Sequence, residues 1–392
     1  MPDRPETFSE AIMDFAVALY RQLRQRRGNL AFSPFSIRAA LGMAYAGARG
    51  ETAAQMREAL RAPSLEERMH ATSSEIIRRL GAAGGGEHEM TVANSLWGQS
   101  GSPLRPEFLD LIARHYGGGV NVVDFRHRAE EARAAMNRWV EDRTRQRIRE
   151  LISPGALNDL TRLVILNAVY FKGAWTLPFE EADTRDEPFH LEGGETVQAP
   201  LMRQLERVGY MEAPGYQAVD LLYRGGGLLM LVLLPDRKDG LRDLEEALTA
   251  RMLDDCLTRS SHRVVDLFLP RFRITWGAED LCGPLTALGM PLAFVPFEAD
   301  FSGINGVEPP AEDSLFIAAV FHKAFVETNE KGTEAAAATA IFGELGASLQ
   351  APSRPPPIPV FRADHPFLFA IVERKSGAIL FLGRVADPTK ES

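Results

Sequence analysis

The chain has 392 residues, with 44 basic against 53 acidic side chains and a net charge of −9. That length holds two or three ordinary domains or one large core. The acidic balance argues against a general nucleic-acid or anionic-membrane binder, which needs a basic face.

The chain opens with an amphipathic helix over residues 8–25, with Phe8, Ile12, Phe15, Leu19 and Leu23 at helical spacing. Its acids come early and its arginines late, the order a helix dipole favours. A short strand follows at 29–32. Ser33-Pro34 then reads as an N-cap and first helical position, opening a buried helix over 35–46. Helices are predicted at 51–61, 65–80, 105–116 (stopped by Gly117) and 129–151, with strands at 88–97 and 120–125. The apolar run 163–171 has the pattern of a centrally buried strand. Strands are expected within 213–235, then a helix over 241–257, strands at 264–269 and 315–328, and a terminal pair, 367–373 and 378–382, around Ser376-Gly377.

Helices gather in the first third and strands in the rest, which predicts an α+β fold with large, mostly antiparallel sheets. No Pro/Gly/Ser linker and no internal repeat divides the chain, so one domain over 1–392 is expected. Cys256 and Cys282 lack motif spacing, and buried free thiols are expected. Eight scattered histidines form no ligand pattern, so neither metal nor cofactor is expected. The first residues, with Asp3, Arg4, Glu6 and Glu10, hold no signal-peptide core, and the longest apolar run, 228–234, is too short to span a bilayer. A soluble chain is expected, cytoplasmic by default and extracellular if a leader was removed.

One stretch fits no ordinary element. Asn329-Glu330-Lys331-Gly332-Thr333-Glu334 runs into Ala335-Ala336-Ala337-Ala338-Thr339-Ala340. Alanine favours helix, yet Gly332 breaks the run before it and Gly343 and Gly346 after it. With no large apolar face, the segment has little reason to fold alone. As a strand from Thr333 to Phe342 it would place Thr333, Ala335, Ala337, Thr339 and Ile341 on one face, all small or β-branched, and its only charge, Glu334, on the other.

This stretch resembles the hinge of the serpins. Three more stretches support the likeness, in the family's order and at similar separations: Ser33-Pro34-Phe35-Ser36-Ile37 with 47–52, the run from Leu166-Asn167 to Ala174-Trp175, and Phe361 to Phe369 with 381–385 beyond. The resemblance covers nearly the whole chain and looks inhibitory and prokaryotic. It implies three β-sheets, about nine helices and an exposed reactive-centre loop at about 330–359. It implies a hinge from Glu330 to Thr339, and a cluster of Ser33, Ser36, Asn167 and His322 beneath the main sheet that controls the parting of two strands. Trp175 would stand at the top of that sheet. By themselves, Asn167 and His322 also fit a satisfied core pair, since a buried polar group must find a partner.

The implied activity is a trap rather than an enzyme's turnover. Serpin loop insertion is a standing example of strand addition and of released strain. A serine protease attacks the loop, forms an acyl-enzyme, and is dragged as the freed hinge enters the sheet. In the family the bait lies about fourteen residues past the hinge glycine, some 45 Å of strand. Counting from Gly332 gives Gly346-Ala347, which suits elastase- or subtilisin-like pockets. The loop is longer than usual, so Leu345 and Leu349, fit for chymotrypsin-like targets, remain alternatives. Arg354 precedes Pro355, a poor site for trypsin-like enzymes. A cysteine protease is a second target class, and a monomer is expected. Three rivals remain: an enzyme, for which no nucleophile elbow, zinc helix or phosphate loop is present; a non-inhibitory binding or chaperone protein on the same fold; and a polyproline II recruitment segment at 352–359.

Overall fold

The computed structural model describes residues 8–63, 66–82, 88–101, 103–117, 119–333 and 357–391. Among them are ten α-helices: α1 (Phe8–Leu23), α2 (Pro34–Tyr45), α3 (Gly50–Ala59), α4 (Glu66–Ala82), α5 (Pro106–Tyr116), α6 (Phe125–Arg143), α7 (Leu241–Ala247), α8 (Ala250–Arg259), α9 (Cys282–Ala287) and α10 (Ser302–Asn305). The strands are β1 (Leu30–Phe32), β2 (His88–Gln99), β3 (Val120–Val123), β4 (Leu163–Ala174), β5 (Arg185–His190), β6 (Thr196–Ala213), β7 (Tyr216–Leu222), β8 (Leu228–Pro235), β9 (Ser261–Pro270), β10 (Phe272–Asp280), β11 (Ile317–Asn329), β12 (Gly332–Thr333), β13 (Val360–Arg362), β14 (Phe367–Glu373) and β15 (Ala378–Val385).

They build the expected α+β fold. One sheet runs β1-β15-β14-β8-β7-β6-β9-β13, with β5 beside β6, and the other runs β10-β11-β12-β4-β2-β3. Two of the three expected sheets are joined because β6, 18 residues long, passes from one into the other. The main core lies between the sheets and under α1 and α2. It is packed by Phe15, Phe32 and Phe35 from the first elements and by Phe367, Phe369 and Phe381 from the terminal pair.

The α2 start is as predicted: the Ser33 hydroxyl accepts from the Ser36 N–H at 3.2 Å, and Pro34 takes the first turn. Two predicted helices differ. The 241–257 helix is broken between α7 and α8, where Leu248 is extended and Thr249 caps α8 through the Met252 N–H. Helix α6 begins early, capped by Asp124, and ends at Arg143 rather than at 151. Beyond it the Thr144 hydroxyl takes the Ile148 N–H, while Arg145, Gln146 and Glu150 adopt positive φ, which a helix does not allow. Cys256 is buried, Cys282 half-buried, and both are free.

Candidate functional site

Strands β4 and β11 lie side by side and parallel, paired from Leu163 with Ile317 up to Tyr170 with Phe325. Above that pair they separate. The chain turns at Glu330-Lys331, and β12 enters the gap, antiparallel to both neighbours. Thr333 pairs with Thr328 on one side and Gly173 on the other, and Gly332 pairs with Asn329 and Ala174. The described part of the predicted hinge therefore occupies the head of a forked sheet.

Glycine is required there. Gly332 has φ +141°, and a Cβ on it would sit 2.0 Å from the Gly173 carbonyl oxygen. Thr333 is fully buried, on the inner face that period-2 reading assigns it, and shares a 2.7 Å hydrogen bond with the Tyr223 hydroxyl. Burial pushes the Tyr223 phenol far up, although the Thr333 bond works against it, so the hydroxyl stays protonated. Its ring stacks on Trp175 at 4.5 Å and 16°.

Trp175 in turn holds the turn. Its backbone N–H donates to the Lys331 carbonyl at 2.9 Å, and its indole Nε1 donates to the Asn329 carbonyl at 2.9 Å. The Phe179 N–H donates to the Glu330 carbonyl at 2.9 Å. The Glu330 carboxylate is almost fully buried and accepts from Arg271 Nε at 2.7 Å and from the Thr184 hydroxyl at 2.5 Å. Burial works to raise its pKa, but the bonds from Arg271 and Thr184 outweigh that and hold it below the usual carboxylate value. Lys331 reaches Glu181 at 3.4 Å, a looser surface pair.

Lower in the same sheet runs a rung of polar side chains. Asn94, Asn167 and His322 are register partners across β2, β4 and β11. Ser33, Ser36, Asn167 and His322 are all fully buried. The Ser33 N–H donates to His322 Nε2 at 3.2 Å, so the ring proton is on Nδ1, which donates to Asn167 Oδ1. Asn167 Nδ2 donates to Ser36 Oγ and Asn94 Oδ1, and the Ser36 hydroxyl reaches Asn94 Oδ1 at 3.1 Å. Burial lowers the His322 pKa to about 3, so the imidazole is neutral. This rung ties α2 to all three strands at the level where β4 and β11 are still joined. The four sequence-predicted members meet, while Trp175 belongs to the separate assembly at the fork. Sequence reasoning missed Asn94, Tyr223, Arg271 and Thr184. Only strand register brings Asn94 to the rung, and nothing local marks the other three.

On the outer face the last joined pair is covered by two guanidinium groups. The Tyr170 and Phe325 rings lie 5.8 Å apart, with Arg147 over the first at 5.8 Å and Arg273 over the second at 5.1 Å. Below them Phe125, Met136 and Val140 of α6 share a cluster with Val164, Leu166, Ala168 and Phe321. The remaining hinge positions, Glu334, Ala335, Ala336, Ala337, Ala338 and Thr339, lie outside the described residues, as do Leu345, Gly346, Ala347, Leu349 and Arg354.

The serpin (serine protease inhibitor) family profile matches residues 10–388. The chain belongs to the serpin family. An uncharacterised serpin-like protein of Thermococcus kodakarensis is 40% identical over 380 residues, covering 96% of this chain and 85% of its own. Leukocyte elastase inhibitor A of Rattus norvegicus is 37% identical, over 98% of this chain and 100% of its own. Among solved structures, the thermophilic serpin tengpin in its native state superposes with a TM-score of 0.85 at 25% identity, covering 98% of this chain and 95% of that one.

Proposed function

We propose that this chain inhibits serine endopeptidases as a suicide substrate, with elastase-like enzymes as the first target class. One observation carries the reading: Gly332 and Thr333 already lie as the first rungs of a strand between β4 and β11. The protease serine attacks the Gly346 carbonyl, the Ala347 amine leaves, and an ester joins Gly346 to the enzyme. The freed segment then continues into the fork from Thr333 downward. Strand β4 has 12 residues, about 40 Å at roughly 3.3 Å each, close to the span from hinge to bait. Each new sheet hydrogen bond contributes about 1 kcal/mol net, so a dozen offset considerable distortion of the protease. No proline and no charge on the inward face interrupts Thr333 to Gly346.

The small Gly346-Ala347 bait and the relatives named leukocyte elastase inhibitors support the target class. The chain is consumed one molecule per protease rather than turning over. The test is incubation with pancreatic elastase, subtilisin and chymotrypsin, followed by denaturing electrophoresis. An SDS-resistant adduct, with the loop cut after Gly346 by mass spectrometry, is expected. Cleavage without adduct across the panel overturns the trap and favours a binding or chaperone protein on the same fold.

A further inference from the structure

The outer face of the β6-β9-β13 sheet breaks the usual alternation. Its inner face is ordinary core, with Val265 and Leu267 fully buried. Its outer face lies open to solvent and should be polar. Instead Leu205, Val264, Ile358 and Val360 stand there 54%, 41%, 52% and 52% exposed. Register gathers them. Leu205 and Val360 flank Asp266 from either side, and Val264 pairs with Arg207. The Asp266 N–H donates to the Pro359 carbonyl at 3.0 Å, and the parallel register sets Ile358 beside Val264. Four of six neighbouring positions are aliphatic. Of the two charges among them, Asp266 is neutralised by a two-point contact with Arg203 at 2.9 and 3.1 Å. Arg207 makes no ion pair among the described residues. Scattered exposed aliphatics are normal, but a contiguous strip marks a contact surface.

We infer that this strip is a second contact surface for the protease attacking the loop, engaged before the bond is cut. The inference rests on the trap reading above. What picks this occupant is the chain itself: Ile358 and Val360 follow Gly346-Ala347, the proposed bait, by only about a dozen residues. From Ala347 to Ile358 the chain spans at most about 36 Å at roughly 3.3 Å per residue. A protease domain of about 230 residues has a radius of gyration near 17 Å and so a body some 45 Å across. An enzyme gripping Gly346-Ala347 is thus held within its own width of the strip. A short tether of that kind raises the local concentration to the millimolar range, where even a weak apolar contact counts. The fitting partner surface is apolar, with a carboxylate opposite Arg207.

The experiment compares wild type with Leu205→Ser/Val264→Ser and, separately, Arg207→Glu. All three side chains are exposed, and melting curves check that the fold is kept. The readout is the second-order rate of adduct formation with whichever of pancreatic elastase, subtilisin and chymotrypsin reacts fastest. The double variant should associate about tenfold more slowly, at unchanged stoichiometry of inhibition. The charge reversal should slow association most at low salt. Adduct formation at the wild-type rate in both variants overturns the strip while leaving the trap standing. Absence of any wild-type adduct refutes the trap itself, and the strip's assignment falls with it. A wild type that sediments as a dimer, beside a monomeric double variant, would give the strip to a second copy and overturn the inference.

Discussion

Thr333 is where the proposed mechanism is most sensitive, and Thr333→Arg tests it. The side chain is fully buried on the inner face, and its hydroxyl partners the Tyr223 phenol. Around that phenol are the rings of Trp175, stacked at 4.5 Å, and Phe171, edge-on at 5.0 Å. An arginine here loses the hydroxyl, leaving a buried phenol unpaired at about 1–3 kcal/mol. It also sets an unpaired guanidinium among aromatic rings, for several kcal/mol more. The arginine is therefore expected to leave the fork in the intact chain, and re-entering it at about 4 kcal/mol slows insertion roughly a thousandfold. Cleavage of the loop is untouched, so deacylation overtakes insertion and most molecules are cut and released. Thr333→Ser keeps the hydroxyl and should still trap. The assay is titration of residual protease activity against inhibitor, with electrophoresis to separate adduct from cut chain. An arginine variant that traps at wild-type stoichiometry would refute the placement of the hinge in the fork.

Three further outcomes follow from the same geometry. The His322 pKa falls from 6.5 to about 3 on folding, so its contribution is full above pH 6.5 and is lost as pH drops toward 3. Between pH 7 and pH 5 the stability advantage of wild type over His322→Gln, from denaturant midpoints, should shrink by about 2 kcal/mol; a constant difference would mean the ring is not held neutral. Asn94→Ala removes the acceptor shared by Asn167 and Ser36, at a cost of about 2 kcal/mol, and should lower the melting temperature by a few degrees by calorimetry. No change would show that the rung closes without it. Nicking the chain within 334–356 should raise the melting temperature by tens of degrees, because the intact fold is read as a kinetically held state. Equal melting of cut and uncut chains would contradict that.

Much of this was legible locally. Ser33-Pro34 announces α2 because a cap and a proline act within one turn, and the unbroken run 163–171 announces β4 because burial on both faces needs no alternation. Gly332 stood out as a break, although not the carbonyl that a Cβ there would strike, which belongs to a strand some 160 residues earlier. Non-local pairing was what the chain concealed. A two-residue strand such as β12 has no pattern of its own, and Asn94 looks like any strand asparagine until register sets it beside Asn167. Strand β6 was hidden for another reason: Leu201 and Met202 are both buried, and so are Val208, Gly209 and Tyr210, so its alternation slips twice along its length. Thr249 caps α8, but apolar spacing running through Leu248 hid the break before it.

The direction of β4 against β11 has a consequence of its own. Their side-by-side alignment from Leu163 and Ile317 upward is a same-direction seam, the less stable kind of ladder per residue. Any segment continuing from β12 would run opposite to both. Opening the seam by one rung therefore exchanges one slanted ladder for two perpendicular ones, and the balance improves with every rung that follows. Closed, the molecule keeps a weaker joint down the middle of a sheet, with two rungs of β12 already seated at its head; in the proposed mechanism, cutting the loop is what frees the rungs that follow.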